Sequence, residues 1–213
     1  PAKPPTHLQH TKIPMNSNML NRRTFVAASL AFAGMAAPAA ALSENEARVL
    51  IDTVVTEINR VIASGQTEAQ MIKSFETIFV QYADVPIMAQ YVLGNDGRSA
   101  TAAQKRDFTD AFQGYISRKY GKRFREFIGG QIEVQGAREI KAGHEITTTA
   151  YLKGEAPFEV IFLVSGKSGR DLFFNMFIEG VNVLLTERTE IGAMLDKRKG
   201  DMGLMIADLR QAG

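Results

Sequence analysis

The sequence predicts an α+β fold in which a helical half packs on a four-stranded antiparallel sheet. Three observations lead there. Capping signals followed by apolar residues at spacings of three and four recur from Ser43 to Phe127, alternating apolar runs joined by short Gly-containing loops fill 131–178, and helical spacing returns after Val181. With 213 residues and 45% hydrophobic content, one domain with a sizeable core is expected.

The N-terminal 41 residues read as a leader and the remainder, 42–213, as a single domain. Residues 1–14 are polar and Pro-rich and are read as upstream sequence, with Met15 or Met19 as starts. Arg22-Arg23-Thr24-Phe25 then leads into the Ala-rich run from Ala27, and small residues close it at Ala39-Ala40-Ala41. A basic segment, an apolar segment and small residues make a secretory signal peptide, cut near Ala41, and the paired arginines resemble a twin-arginine signal. An uncleaved span is the competing reading, but alanines, Gly34 and Pro38 make it a poor one. The expected location is the periplasm.

All four basic residues of that leader, Lys3, Lys12, Arg22 and Arg23, stand without a single acid. Subtracting them from the chain's 25 basic and 23 acidic residues leaves 21 against 23, a balance of −2. No nucleic acid partner is expected from such a surface. The absence of cysteine excludes disulfides, Cys-ligated metals and thiol nucleophiles.

Four helices come first. Ser43 with Glu46 is a capping box opening Glu44 to Ala63, whose apolar stripe runs through Ala47, Ile51, Val54, Val55, Ile58 and Ile62. Thr67 with Gln70 opens a second, with Met71, Phe75, Ile78, Phe79 and Tyr82 inward. Asp84 and Pro86 open a short third helix carrying Ile87, Met88, Tyr91 and Val92, closed by Gly94. Thr101 with Gln104 caps the longest, where Phe108, Phe112, Tyr115, Ile116, Phe124 and Phe127 form an aromatic stripe. Such a stripe is ordinarily core packing.

Gly129-Gly130 ends the helical half, and four strands follow. Gln131 to Ile140 turns inward Ile132 and Val134, and Glu145 to Lys153 alternates again after a turn that holds His144. Phe158 to Val164 and Leu172 to Ile178 form a hairpin around Ser165-Gly166-Lys167-Ser168-Gly169-Arg170. Both of these strands are apolar on both faces, through Ile161 and Leu163 on one and Phe173 and Phe177 on the other. Such strands need cover on each side, by protein or by ligand.

Catalytic signatures are sparse. His144 is the one histidine after the leader, which excludes a two-histidine metal site, and its Gly-flanked turn reads as a surface loop. Gly166-Lys167-Ser168 resembles the end of a phosphate-binding loop, but Ile161 occupies the required glycine position and a strand follows. Glu187 and Glu190 flank Arg188 at helical spacing and read as a solvated face. No cofactor is implied.

The C-terminal order carries the most specific pattern. Glu179-Gly180-Val181-Asn182 closes the last strand, Asn182 caps a helix containing Thr186 and Arg188, and Asp201-Met202-Gly203-Leu204 opens a last helix running to Leu209. This order resembles the MlaC, or toluene-tolerance, family of periplasmic phospholipid-binding proteins. The segment from Tyr82 through Met88 and Gly94, then Gln104 to Tyr115, resembles the family's helical half. Asn182 stands in place of the family's usual serine, Glu187 where tyrosine is frequent, and Asp171 and Asn175 in place of a tryptophan and an aspartate.

The resemblance implies a non-enzymatic carrier that moves phospholipid between outer and inner membranes and maintains outer-membrane lipid asymmetry, with acyl chains in a cavity between sheet and helices. It also implies an outer-membrane lipoprotein complex and an inner-membrane ABC transporter complex as partners; a monomer is expected. Apolar pattern gives Phe79, Met88, Tyr91, Phe112, Tyr115, Ile132, Val134, Phe162, Phe174, Met176 and Ile178 as candidates to line the cavity. Met88 and Met176 are adaptable side chains suited to varied chains. The alternative is a small α+β isomerase or hydrolase using Tyr82, Tyr115 or Asp107 inside an apolar pocket. A third reading is an exported adaptor with a filled core.

Overall fold

The Ser43 side chain accepts from the Glu46 backbone N–H while the Glu46 carboxylate accepts from that of Ser43, fixing the start of helix α1, Glu44–Ile62. The same reciprocal cap at Thr67 and Gln70 starts α2, Glu68–Tyr82. Each cap satisfies two backbone donors that a helix start otherwise leaves bare. Asp84 caps α3, Val85–Leu93, and Thr101 with Gln104 caps α4, Ala102–Arg123. A computed structural model describes residues 42–123 and 126–213; the expected leader and Phe124 lie outside them. Phe127 lies past the end of α4, in the turn before the sheet, where its ring meets Phe158 edge-on at 6.0 Å.

The sheet has five strands, one more than the sequence pattern indicates: β1 Gln131–Ile140, β2 Gly143–Tyr151, β3 Phe158–Ser165, β4 Leu172–Ile178 and β5 Val181–Asn182. They lie in sequence order and each neighbour pair is antiparallel. The fifth strand is only two residues long, so alternation cannot reveal it; Glu179 and Gly180, both at positive φ, turn β4 back on itself. Asn182 then caps α5, Val183–Lys197, and Asp201 caps α6, Met202–Gln211.

Cross-strand register sorts the sheet into two faces. His144, Ile146, Thr148 and Ala150 of β2 share one face with Val160, Phe162 and Val164 of β3 and with Phe173, Met176 and Ile178 of β4. This face joins the core formed with Ile51, Val54 and Ile58 of α1. The opposite face carries Ile161, Leu163 and Phe177, all half-buried, beside Thr147 and Thr149.

Among the described residues, β1 is an edge strand, paired on one side only, by β2. Asn59 of α1 takes that place locally: its side chain accepts from the Ile132 N–H at 3.0 Å and donates to the Ile132 carbonyl at 2.9 Å. Helix α1 is thus fastened to the sheet by hydrogen bonds between the Asn59 side chain and the β1 backbone as well as by burial.

Three sequence expectations are corrected. His144 lies in β2 on the helix-covered face, buried, because the strand begins two residues before the alternation suggests. Glu187 is wholly buried, because Leu184 and Ile191 at three before and four after carry it on the inward stripe of α5. Phe174 leaves the helix-facing row: the pairing steps from Leu163–Asn175 to Val164–Phe173, so Phe174 has no opposite residue and Phe173 takes the inward position.

Candidate functional site

The helix-facing side of the sheet and the inner stripes of α1 to α6 enclose one apolar core. Aromatic rings bridge its layers. Phe173 stands between Phe162 of β3, at 5.5 Å and 81°, and Phe79 of α2, at 6.1 Å, while Phe108 and Phe112 of α4 stack at 5.9 Å. Edge-on contacts of this kind suit the quadrupoles of the rings.

Nine of the eleven sequence candidates meet in this core. Phe79, Met88, Phe112, Tyr115, Ile132 and Phe162 are buried in it, and Val134, Met176 and Ile178 pack against it half-buried. Of the last three, Val134 is on β1 and Met176 and Ile178 on β4, with the buried Thr148 and Val160 between them. Tyr91 is apart, 41% exposed on α3, with the Arg188 guanidinium 5.9 Å from its ring centre. Phe174, the bulged residue of β4, is half-exposed.

Among the described residues, two surface clefts are lined by none of the candidate residues. The larger, about 450 Å³, lies between the turn holding Asp96 and Ser99 and the α5–α6 junction at Gly200–Met202. The smaller, about 270 Å³, lies between Gly129–Gln131 and Tyr151–Lys153. Among the described residues, no group of three or more His, Cys, Asp or Glu is placed to hold a metal ion. Among them, too, no helix is long and apolar enough to cross a membrane.

Sequence reasoning misses the polar cluster on the α4–α5 seam. Glu187 Oε1 accepts from Lys119 Nζ at 2.8 Å and from the Tyr120 hydroxyl at 2.7 Å. Lys119 also donates to Glu190 Oε2 at 2.6 Å and to the Tyr115 hydroxyl at 3.1 Å, and Tyr115 donates to Glu190 at 3.1 Å. Burial pushes both phenols well above their ordinary value, reinforced by the Glu187 charge. The hydrogen bond from Lys119 holds the Glu190 carboxyl below its usual range. The signal is there in Leu184, Glu187 and Ile191 on one helical stripe, but a charged residue in that position reads by default as solvated.

The residues that the sequence offers for catalysis are dispersed. Tyr82 donates to Glu57 at 2.7 Å, Tyr115 belongs to the polar cluster, and Asp107 is exposed.

With this geometry in place, the comparison with known families is decisive. The family model described as MlaC protein matches residues 50–211. The chain belongs to the MlaC family. The match begins inside α1 and ends at the last residue of α6, so it takes in the whole sheet, α2 to α6 and all of α1 but its first six residues. No curated protein matches the chain by sequence. Among solved structures, a phospholipid-binding protein from Ralstonia solanacearum, in complex with a phospholipid, superposes with a TM-score of 0.67. The two are 18% identical, and the alignment covers 78% of this chain and 95% of that one. At that identity the likeness is one of fold.

Proposed function

We propose that this protein binds phospholipid and carries it between the outer and inner membranes, without chemical change, as an exported MlaC-type shuttle. The observation that carries the reading is the core itself. Its inner sheet face is mainly apolar, broken by His144 and Thr148, carries many aromatic and branched side chains, and is half-buried at Val134 of β1 and at Met176 and Ile178 of β4. Family membership and the fold shared with a phospholipid-bound structure support the same ligand class.

The energetics set the requirement. Each methylene removed from water is worth roughly 0.8 kcal/mol, so two acyl chains leave a bilayer only for a continuous apolar surface of comparable depth. Acyl chains enter by parting the sheet from the helices at the half-buried rim, where displaced side chains lose least. Met176, half-buried on β4, bends to follow a chain, and Met88 of α3, fully buried in the core, adapts in the same way. The two phenols nearest the core stay protonated at neutral pH, which suits them to donate hydrogen bonds and leaves them poor general bases.

In this reading residues 1–41 are a signal peptide removed near Ala41, residues 42–213 act alone in the periplasm as a monomer, and the partners are lipoprotein and transporter complexes on the two membranes. The test is transfer of labelled phospholipid from donor to acceptor vesicles. The protein should accelerate transfer in proportion to its concentration, with the lipid recovered chemically intact. Unchanged transfer, or recovery of cleaved lipid, contradicts the proposal.

A further inference from the structure

We propose that α3 and the start of α5 form a docking surface that seats on the head-group layer of an anionic bilayer; the inference rests on the phospholipid reading above and names the surface from which the lipid is taken. Exposed apolar side chains lead to it. Ile87 and Tyr91, one turn apart on α3, are 45% and 41% exposed, and Val181 of β5 and Leu185 of α5 are 57% and 53%. Among the described residues, these are four of the eight large apolar side chains left open to solvent. The two pairs meet where the Arg188 guanidinium, one turn beyond Leu185, lies 5.9 Å from the centre of the Tyr91 ring. An apolar patch rimmed by a cation is relieved of water at a bilayer interface.

Charge selects the occupant. No residue of α3 is charged, and none from Val181 to Thr186. The acids that adjoin these segments are turned inside: Asp84 is buried and caps α3, and Glu187 is buried against Lys119 and Tyr120. Glu179 and Asp96 lie beyond their ends, and Glu190 is held by Lys119. Arg188 itself has no ion pair among the described residues, so its charge faces outward uncompensated. A guanidinium is a phosphate ligand, and a tyrosine ring beside it has the amphipathic character of side chains at the head-group level.

The arginine is held in place. Gly94 closes α3 at φ +54°, and a Cβ there would collide with the Arg188 guanidinium. The space that a side chain would fill is taken by the cation, which stays beside Tyr91.

Position ties this surface to lipid entry. Val181 stands directly across from half-buried Ile178 in the β4–β5 ladder, and the Asp84 N–H at the head of α3 donates to the Phe173 carbonyl of β4 at 2.8 Å. Both apolar pairs are thereby joined to β4, the strand that carries Met176 and Ile178 half-buried on the inner face. Docking brings that strand to the lipid it would take up.

The experiment floats purified protein through a density gradient with vesicles of phosphatidylcholine, with and without phosphatidylglycerol, and in parallel measures uptake of phospholipid from detergent micelles. The unaltered protein should rise with the vesicles, about fivefold more with phosphatidylglycerol, the effect of one arginine at an anionic surface. Arg188→Gln should bring the two compositions level. Val181→Ser combined with Leu185→Ser should cut binding to both about tenfold and leave uptake from micelles intact. Binding of the unaltered protein to neither composition, or to both alike, overturns the docking inference, and uptake from micelles then leaves the phospholipid reading standing. Binding only to vesicles made from native membranes assigns the surface to a protein receptor, and a lipid-free dimer dissolved by the paired substitution assigns it to a second copy; each overturns the inference. Binding that survives the paired substitution overturns it too. Failure both to bind and to take up phospholipid overturns both readings. The unaltered protein's response to the two compositions decides the matter even if a variant does not fold.

Discussion

Phe173 of β4 packs edge-on against Phe162 of β3, ring centres 5.5 Å apart, and the pair closes the centre of the inner sheet face against Phe79 of α2. The contact exists because the β3–β4 ladder skips one residue. Without the bulge, Phe174 would occupy that place and Phe173 would face the other side.

That arrangement separates two neighbouring aromatics. Phe173→Ala should cost about 3–5 kcal/mol, the range for emptying a buried aromatic site. Phe174→Ala should cost roughly 1 kcal/mol or less, since its ring is half-exposed. Urea denaturation of both variants checks the order, and equal losses would refute the bulged register.

The clasp between α1 and β1 makes a second prediction. Asn59→Ala removes both hydrogen bonds to Ile132 and leaves a backbone N–H and C=O partly buried without partners, which should cost about 1–3 kcal/mol. Amide exchange should show the Ile132 N–H losing protection first. Protection unchanged at Ile132 would mean that the side chain contributes nothing to the edge.

Tyr115 and Tyr120 govern the alkaline limb of stability. Burial raises both phenol values in the folded chain above the ordinary 10.0. The folded state therefore holds protons that the unfolded state releases, so stability is complete below about pH 10 and falls as pH rises beyond it. Ultraviolet titration should show two of the five tyrosines ionising only as the protein unfolds. Smooth ionisation of all five while the fold persists would contradict the buried cluster.

The rim of the inner face separates binding from folding. Met176→Asp places a charge where the side chain is half-buried, so the fold should survive with a modest loss while phospholipid uptake from vesicles falls severalfold. Phe112→Asp, at a site with no exposure, should instead prevent folding. Uptake unaffected by Met176→Asp would remove the rim as the path of the acyl chains.

The sequence is most informative where a signal is local. Reciprocal caps at Ser43, Thr67 and Thr101 locate three helix starts, Asn182 and Asp201 two more, and alternation locates the four long strands. Non-local outcomes are hidden. The bulge at Phe174 depends on how β3 meets β4, and β5 is too short to show a period. His144 reads as part of a turn because glycine precedes it, yet its strand extends to Gly143. Glu187 reads as solvated because of its charge, whereas Lys119 and Tyr120, on a helix some seventy residues away, satisfy one of its oxygens and allow it inside. The apolar candidates gather into one core because burial follows side-chain type; Tyr91 does not, because its phenol can remain wet over Arg188.

Everything proposed for this protein depends on its core receiving a phospholipid. Native mass spectrometry of the protein purified from its host, followed by denaturation and lipid analysis of what is released, tests that most directly. The expected result is a mass increment of one phospholipid per chain and the same lipid in the released fraction. A bare chain that also takes no phospholipid from vesicles would contradict it.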